Sequence, residues 1–193
     1  MKFLVQFWAA FAQNNPVQSN DAQMIRQLLV ETRSMKTVAE RLKHVSAKLL
    51  GAMYLRRPLI GSPTEAEVFT ARLDGFDCIT FLETALALAR TRSQDEFLAL
   101  MKKIRYRNGE VAYSQRLHYA TDWARNLVQF GLMTDMTIGE TTVQREKLLN
   151  VVKGVPPKMT RFRFFPRTEI QAVIRWLKDG DFILFVSGRA ALD

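Results

Sequence analysis

The chain has 193 residues, 48% of them apolar, which is enough for one globular domain with a sizeable buried core. It carries 28 Lys and Arg against 19 Asp and Glu, so its formal net charge of +9 favours an anionic partner. One cysteine and two histidines exclude an internal disulfide and are too few for the usual zinc ligands; we expect no metal and no other cofactor.

Residues 1–20 are predicted to precede the folded domain. Lys2, a short apolar stretch and the small residues Ala10 and Ala12 are typical of a secretory leader with its cleavage site. A polar connector follows at residues 14–20. The pattern favours export of the protein, and a cytoplasmic location is the alternative because the apolar stretch is short. The sequence has no run of about 18 apolar residues, so it predicts no membrane-spanning helix.

The folded domain is predicted to span residues 21–193. Asp21 can cap a first helix that continues to about Arg33. Thr37 and Glu40 have the spacing of a capping box, which predicts the start of a second helix. Two prolines and a glycine at residues 58–63 indicate a loop.

The lone cysteine, Cys78, falls at the predicted start of the next helix. Gly75 allows a tight turn and Asp77 is a good N-cap, while Thr80 and Glu83 offer a competing capping box. Either start places the thiol in the first turn, where free N–H groups and the helix dipole stabilise a thiolate. The pattern therefore predicts a reactive nucleophile; an inert core cysteine is the alternative.

Helices dominate the first part of the chain and strands the later part, which is an α+β order. The remaining predicted elements are a helix from Ser93, a turn at Asn108 and Gly109, a helix from Thr121 to Gly131, strands at 141–152 and 160–165, a helix at 168–177 and a strand at 181–186.

Four blocks of this sequence, in the same order, resemble the bacterial N-acetylmuramoyl-L-alanine amidase-like family. They are Asp-Gly-Phe-Asp-Cys-x-Thr-Phe-x-Glu-Thr at 74–84, Ile-Arg-Tyr-Arg-x-Gly at 104–109, Arg-Leu-His-Tyr-x-x-Asp-Trp at 116–123 and Lys-Asp-Gly-Asp at 178–181. The resemblance covers residues 45–193 and implies a papain-like, NlpC-type domain. In such a domain the nucleophile helix would pack on an antiparallel sheet.

The resemblance also implies an activity and a set of site residues. The protein would cleave the amide between N-acetylmuramic acid and L-alanine in peptidoglycan or muropeptides, in the bacterial periplasm. Cys78 would be the catalytic nucleophile, and Asp77, Arg116, His118 and Tyr119 would line the substrate cleft.

The catalytic base is the point at which the chain departs from the family pattern. The family histidine would follow Leu192 and Asp193, so it is expected beyond the last residue, with the sheet incomplete at its C-terminal end. Of the two histidines present, His44 is expected on a solvated helix face and His118 in the cleft. A truncated gene product, a degenerate peptidoglycan-binding relative without catalysis, and the use of another histidine remain open.

The basic charge also raises nucleic-acid binding as an alternative. In a strand at residues 161–167, Arg161 and Arg163 would share one face, and Phe162 and Phe164 the other. That alternation is typical of an ordinary half-buried strand. No nucleic-acid-binding fold or platform emerges, so we expect no nucleic-acid partner.

Overall fold

The computed structural model describes residues 16–139 and 141–186, and the predicted leader at 1–13 lies outside this part. The helices are α1 Ser19–Glu31, α2 Val38–Leu49, α3 Cys78–Arg90, α4 Gln94–Arg105, α5 Ala120–Gln129 and α6 Ile170–Ile174. The strands are β1 Met53–Tyr54, β2 Ile60–Ser62, β3 Glu65–Val68, β4 Gly75–Phe76, β5 Val143–Leu149 and β6 Lys158–Phe164. Within the described residues, no helix combines the length and apolar character needed to cross a membrane.

The hydrophobic core lies among the first five helices. Their apolar stripes face inward because they recur at helical spacing, and the side chains at the centre are fully buried. These central residues are Ile25, Val45, Ala87, Phe97, Met101, Ile104, Trp123 and Leu127. The helices thus form a packed base on which the shorter elements rest.

Local capping determines where the helices begin. Thr37 and Glu40 form the predicted capping box of α2, and Ser93 accepts a hydrogen bond from the Glu96 N–H at the start of α4. The first helix begins at Ser19 rather than Asp21, so that prediction was wrong by two residues.

The strands form three separate two-stranded sheets. Strands β1 and β4 pair in parallel, whereas β2 with β3 and β5 with β6 pair antiparallel. The predicted loop at 58–63 therefore contains the first strand of a hairpin. In the last sheet Arg161 and Arg163 are exposed whereas Phe162 and Phe164 are partly buried, which confirms the predicted alternation of faces.

Several expectations were wrong for the described residues. Among these residues helix α3 packs mainly against α2 and α4 rather than on an antiparallel sheet. Residues 181–186 have no strand pairing within the described structure, and the helix expected at 168–177 is reduced to five residues after a 3₁₀ turn. A short helix without a core to cover has little to stabilise it. The observed architecture is a mixed domain of helices and short sheets.

Candidate active site

Cys78 is the first residue of α3, and its side chain is exposed. The chain enters the helix from the buried strand β4, which pairs with β1. An ideal Cβ on Gly75 would lie 2.8 Å from the Met53 carbonyl oxygen and 2.8 Å from the Leu55 side chain. Because only glycine allows this approach, Gly75 helps to fix the point at which the thiol leaves the core.

Asp77 and Thr80 form the capping box of α3, so the alternative box of Thr80 and Glu83 is wrong. The Asp77 carboxylate accepts hydrogen bonds from the Thr80 N–H and hydroxyl, both at 2.8 Å, and the Thr80 oxygen accepts one from the Asp77 N–H at 3.0 Å. Within the described structure, the N–H groups of Cys78 and Ile79 have no acceptor. They remain available to a negatively charged oxygen beside the thiol.

A buried ion pair lies behind the exposed thiol. Arg105 donates to the Glu83 carboxylate at 2.8 Å and to the Thr70 carbonyl at 2.6 Å, and the Arg105 and Glu83 side chains are each 3% exposed. Burial raises the pKa of the Glu83 carboxyl above its ordinary value, although the Arg105 charge opposes this. The pair ties α3 to α4 and to the segment that follows β3.

A second buried carboxylate, Glu67, lies on β3. It accepts hydrogen bonds from the Tyr106 hydroxyl at 2.7 Å and from Nε of Arg116 at 3.0 Å, and it also pairs with Nη2 of Arg116. The same Nη2 donates to the Ile60 carbonyl at 2.9 Å. Sequence reasoning missed this cluster because nothing local indicates that Glu67 meets residues almost 50 positions later.

The predicted cleft residues have clear structural contacts. Asp77 caps α3, and Arg116 binds Glu67 while its guanidinium lies 5.2 Å from the centre of the Tyr113 ring. Tyr119, which is predicted to line the substrate cleft, is buried, and its hydroxyl accepts a hydrogen bond from the Val152 N–H at 3.3 Å.

The two histidines are bonded to other groups. His118 is half-buried and its Nε2 lies 2.7 Å from the Tyr113 carbonyl; burial lowers the pKa of this histidine, although that hydrogen bond opposes the change. His44 was expected to be solvated, but it pairs with Glu31 at 2.7 Å. No hydrogen bond joins either histidine to Cys78 within the described residues.

A match to a family model adds independent information about this chain. Residues 44–193 match the model described as AmiA-like, N-acetylmuramoyl-L-alanine amidase-like. The chain belongs to this amidase-like family. The sequence resemblance is therefore confirmed at the level of the family, and the matched region includes Cys78, Glu83, Arg105 and Arg116. Glu67 also lies within the matched region.

Solved structures agree with this placement in the amidase-like family. A protein from Legionella pneumophila superposes with a TM-score of 0.71 at 22% identity, covering 82% of this chain and 69% of that one, which shows a shared fold. An N-acetylmuramoyl-L-alanine amidase from Bacteroides uniformis gives 0.51 at 29% identity, covering 57% and 48%. A Bacteroides fragilis protein named as a candidate xylanase gives 0.50 at 30%, covering 55% and 48%. The chain thus matches about half the length of the two Bacteroides proteins. No curated protein matches it.

A cavity of about 230 Å³ in this amidase-like chain lies away from the thiol. It is bounded by α2, by Leu86 and Arg90 of α3, and by the turn at residues 179–182. Leu86 is eight residues beyond Cys78, which corresponds to about 12 Å along the helix. The cavity is therefore a separate feature at the other end of α3. Within the described part of the chain, no group of three His, Cys, Asp or Glu residues could hold a metal.

Proposed function

We propose that this member of the amidase-like family is a cell-wall hydrolase that cleaves the amide between N-acetylmuramic acid and L-alanine, with Cys78 as nucleophile. The observation that carries the proposal is the exposed thiol at the first residue of a helix whose opening N–H groups are free. The amidase name of the Bacteroides uniformis structure supports the choice of reaction class.

In the proposed reaction, the Cys78 thiolate attacks the carbonyl carbon of the lactyl amide. The N–H groups of Cys78 and Ile79 would stabilise the oxyanion of the tetrahedral intermediate. Its collapse breaks the C–N bond, and the leaving nitrogen takes a proton to give the free amine of L-alanine. Water then attacks the thioester, which releases the muramoyl carboxylic acid and restores the thiol.

The proposed papain-like, NlpC-type chemistry needs an imidazole that accepts the thiol proton and returns it to the amine. The family pattern places this histidine near Leu192 and Asp193, which lie outside the described residues. His118 is a weaker choice because its Nε2 is already bonded to the Tyr113 carbonyl.

The substrate proposed here is peptidoglycan or its muropeptide fragments, met after export to the periplasm. The net charge of +9 suits an anionic stem peptide, and the leader pattern at residues 1–13 supports export.

Replacing the thiol is the direct test of the proposed function. We expect Cys78→Ala to abolish release of L-alanine-initiated stem peptides from purified muropeptides, measured by liquid chromatography with mass detection. Because Cys78 is exposed, the unfolding midpoint should barely change, which controls for misfolding. As a matched control, Ser34→Ala in the exposed turn between α1 and α2 should leave turnover unchanged. Equal turnover by Cys78→Ala and the parent would contradict the proposal.

A second candidate is a peptidoglycan-binding protein without catalysis, which is favoured because each histidine has a hydrogen-bond partner other than Cys78. The rate of iodoacetamide alkylation separates the two. An activated thiol is alkylated well below pH 8, whereas the alkylation rate of an unassisted thiol rises with a midpoint at about pH 8.5. Retention on insoluble peptidoglycan without released products, together with the ordinary midpoint, would support the second candidate.

A further inference from the structure

Four charged side chains form a buried network of zero net charge behind the Cys78 site. The Glu67 and Arg116 side chains are 2% and 12% exposed, and they join the fully enclosed pair of Glu83 and Arg105. Tyr106 connects the two pairs, because it follows Arg105 in the chain, forms a bridge with Arg116 and donates its hydroxyl to Glu67.

The Glu67 and Arg116 pair holds the hairpin of β2 and β3. Glu67 lies on β3, and Arg116 donates to the Ile60 carbonyl on β2, so both strands are bound by one pair. Gly61 has φ of +124°, and a Cβ there would lie 2.9 Å from Cα of Glu67 and 3.1 Å from Nη2 of Arg116. The absence of a side chain lets the hairpin close directly onto the ion pair.

The network ends on the nucleophile helix. Glu83 is five residues beyond Cys78, a rise of about 7.5 Å along α3. The Asp77 charge raises the pKa of the Glu83 carboxyl and the Arg116 charge lowers it. The cap of α3 and the Glu67 and Arg116 pair therefore both act on Glu83. The Thr70 carbonyl, just after β3, also binds Arg105.

Stability alone gives a weak reason for such a network. Replacing a buried ion pair by well-packed apolar residues is often neutral or stabilising, since desolvation offsets most of the Coulomb attraction. The charged side chains instead provide directional hydrogen bonds. The planar Arg116 guanidinium binds two oxygens of Glu67 and a carbonyl on the neighbouring strand in one fixed geometry.

We propose that Glu67 and Arg116 are positioning residues of the Cys78 site, which hold the β2–β3 hairpin in a charge-balanced network that ends at Glu83 of the nucleophile helix. This inference rests on the proposed function for its catalytic meaning. On this proposal the place of the hairpin relative to the nucleophile helix depends on these two side chains.

The test compares Glu67→Gln, Arg116→Gln and the double variant in the full chain. Glu67→Gln leaves an excess positive charge and should speed iodoacetamide alkylation of Cys78 about threefold at fixed pH and low salt; Arg116→Gln should slow it by a similar factor. The double variant restores neutrality, so its alkylation rate should return to that of the parent. A merely structural role would move both single variants in the same direction.

Hydrogen exchange of the amides in residues 60–68 measures positioning separately from charge. All three variants should exchange about tenfold faster there, and kcat/KM on muropeptides should fall about tenfold even in the double variant. The matched controls, Glu146→Gln and Arg161→Gln, remove an exposed pair of the same chemistry and should change none of these measurements.

Each outcome decides between the two proposals. Parent-like exchange of the hairpin in the double variant, or parent-like kcat/KM despite faster exchange, would overturn the positioning role. If Arg116→Gln fails to fold, Arg116→Lys keeps the charge and loses the fork, and it should show parent-like alkylation with a loosened hairpin. Unchanged turnover in Cys78→Ala would overturn the proposed function, whereas hydrogen exchange and alkylation would still test the network.

Discussion

The helical region at residues 19–129 and the later region at 143–186 differ in how far their large side chains are buried. The helical region contains almost all of the buried apolar core and also encloses the charges of Glu83 and Arg105, although Leu50 and Tyr54 are exposed. The later region leaves large apolar side chains in solvent, and Phe185 is 89% exposed.

This difference shows which part of the molecule can support catalysis. A nucleophile must be held within a fraction of an ångström, and only a densely packed base can do that. Cys78 projects from such a base. The later region is joined to it mainly by side-chain contacts, such as the hydrogen bond of Arg125 to Thr160 at 2.8 Å and the stacking of Phe182 on Trp123, with ring centres 6.3 Å apart.

The largest expected effect on the free energy of unfolding comes from Phe97→Ala, which is compared with the loss of a phenylalanine in the later region. Phe97→Ala opens a cavity at the centre of the core, where Phe97 is fully buried, and should lower the free energy of unfolding by about 3–5 kcal/mol. Phe185→Ala removes a solvent-exposed ring and should change it by less than about 0.5 kcal/mol. Urea unfolding followed by circular dichroism measures both, and comparable losses would contradict the contrast between the regions.

The same contrast explains what could be predicted from the sequence. The cap of α2 at Thr37 and that of α3 at Asp77 depend on residues three positions apart, so local spacing was sufficient. The strand expected at 181–186 depends on a partner strand, which a continuous run of apolar residues does not reveal. The contact between Glu67 and Arg116 joins residues 49 positions apart and has no local signature.

Cys78 shows how far a local signal reaches into function. Its helix start and its exposure follow from Gly75 and Asp77, which sequence reasoning identified. One of the buried charges, Glu83, belongs to the same sequence block at residues 74–84 and is a charged residue inside an apolar helix. A lone acidic residue at such a position signals a buried cationic partner, although it does not say which one.

Helix caps provide a smaller test of the same contrast. Asp77→Ala removes the acceptor for the Thr80 N–H and should cost about 1–2 kcal/mol, whereas Asp77→Asn should keep most of the stability. Helix α6, in the later region, has Glu169 at its N-cap and no side-chain capping bond. Glu169→Ala should therefore cost less than about 0.5 kcal/mol in urea unfolding. An equal loss for the two alanine variants would show that α6 is stabilised in the same way as α3.

The smallest expected effect is a pH dependence from His118, in the helical region. Burial lowers the pKa of this histidine in the folded protein, so below its ordinary value of 6.5 the unfolded chain binds a proton that the folded chain does not. The stability that His118 contributes is therefore present above pH 6.5 and lost as the pH falls. His118→Gln should remove this loss while keeping a donor for the Tyr113 carbonyl. The free energy of unfolding of the variant should therefore rise relative to that of the parent as the pH is lowered from 7.5 to 5, measured in steps of about one pH unit. Asp74→Asn is the control, because hydrogen bonding to Arg72 lowers the pKa of the Asp74 carboxyl, so its contribution is lost only below the ordinary value of 3.8. A difference between His118→Gln and the parent that stays constant with pH would show that His118 titrates alike in the folded and unfolded chains.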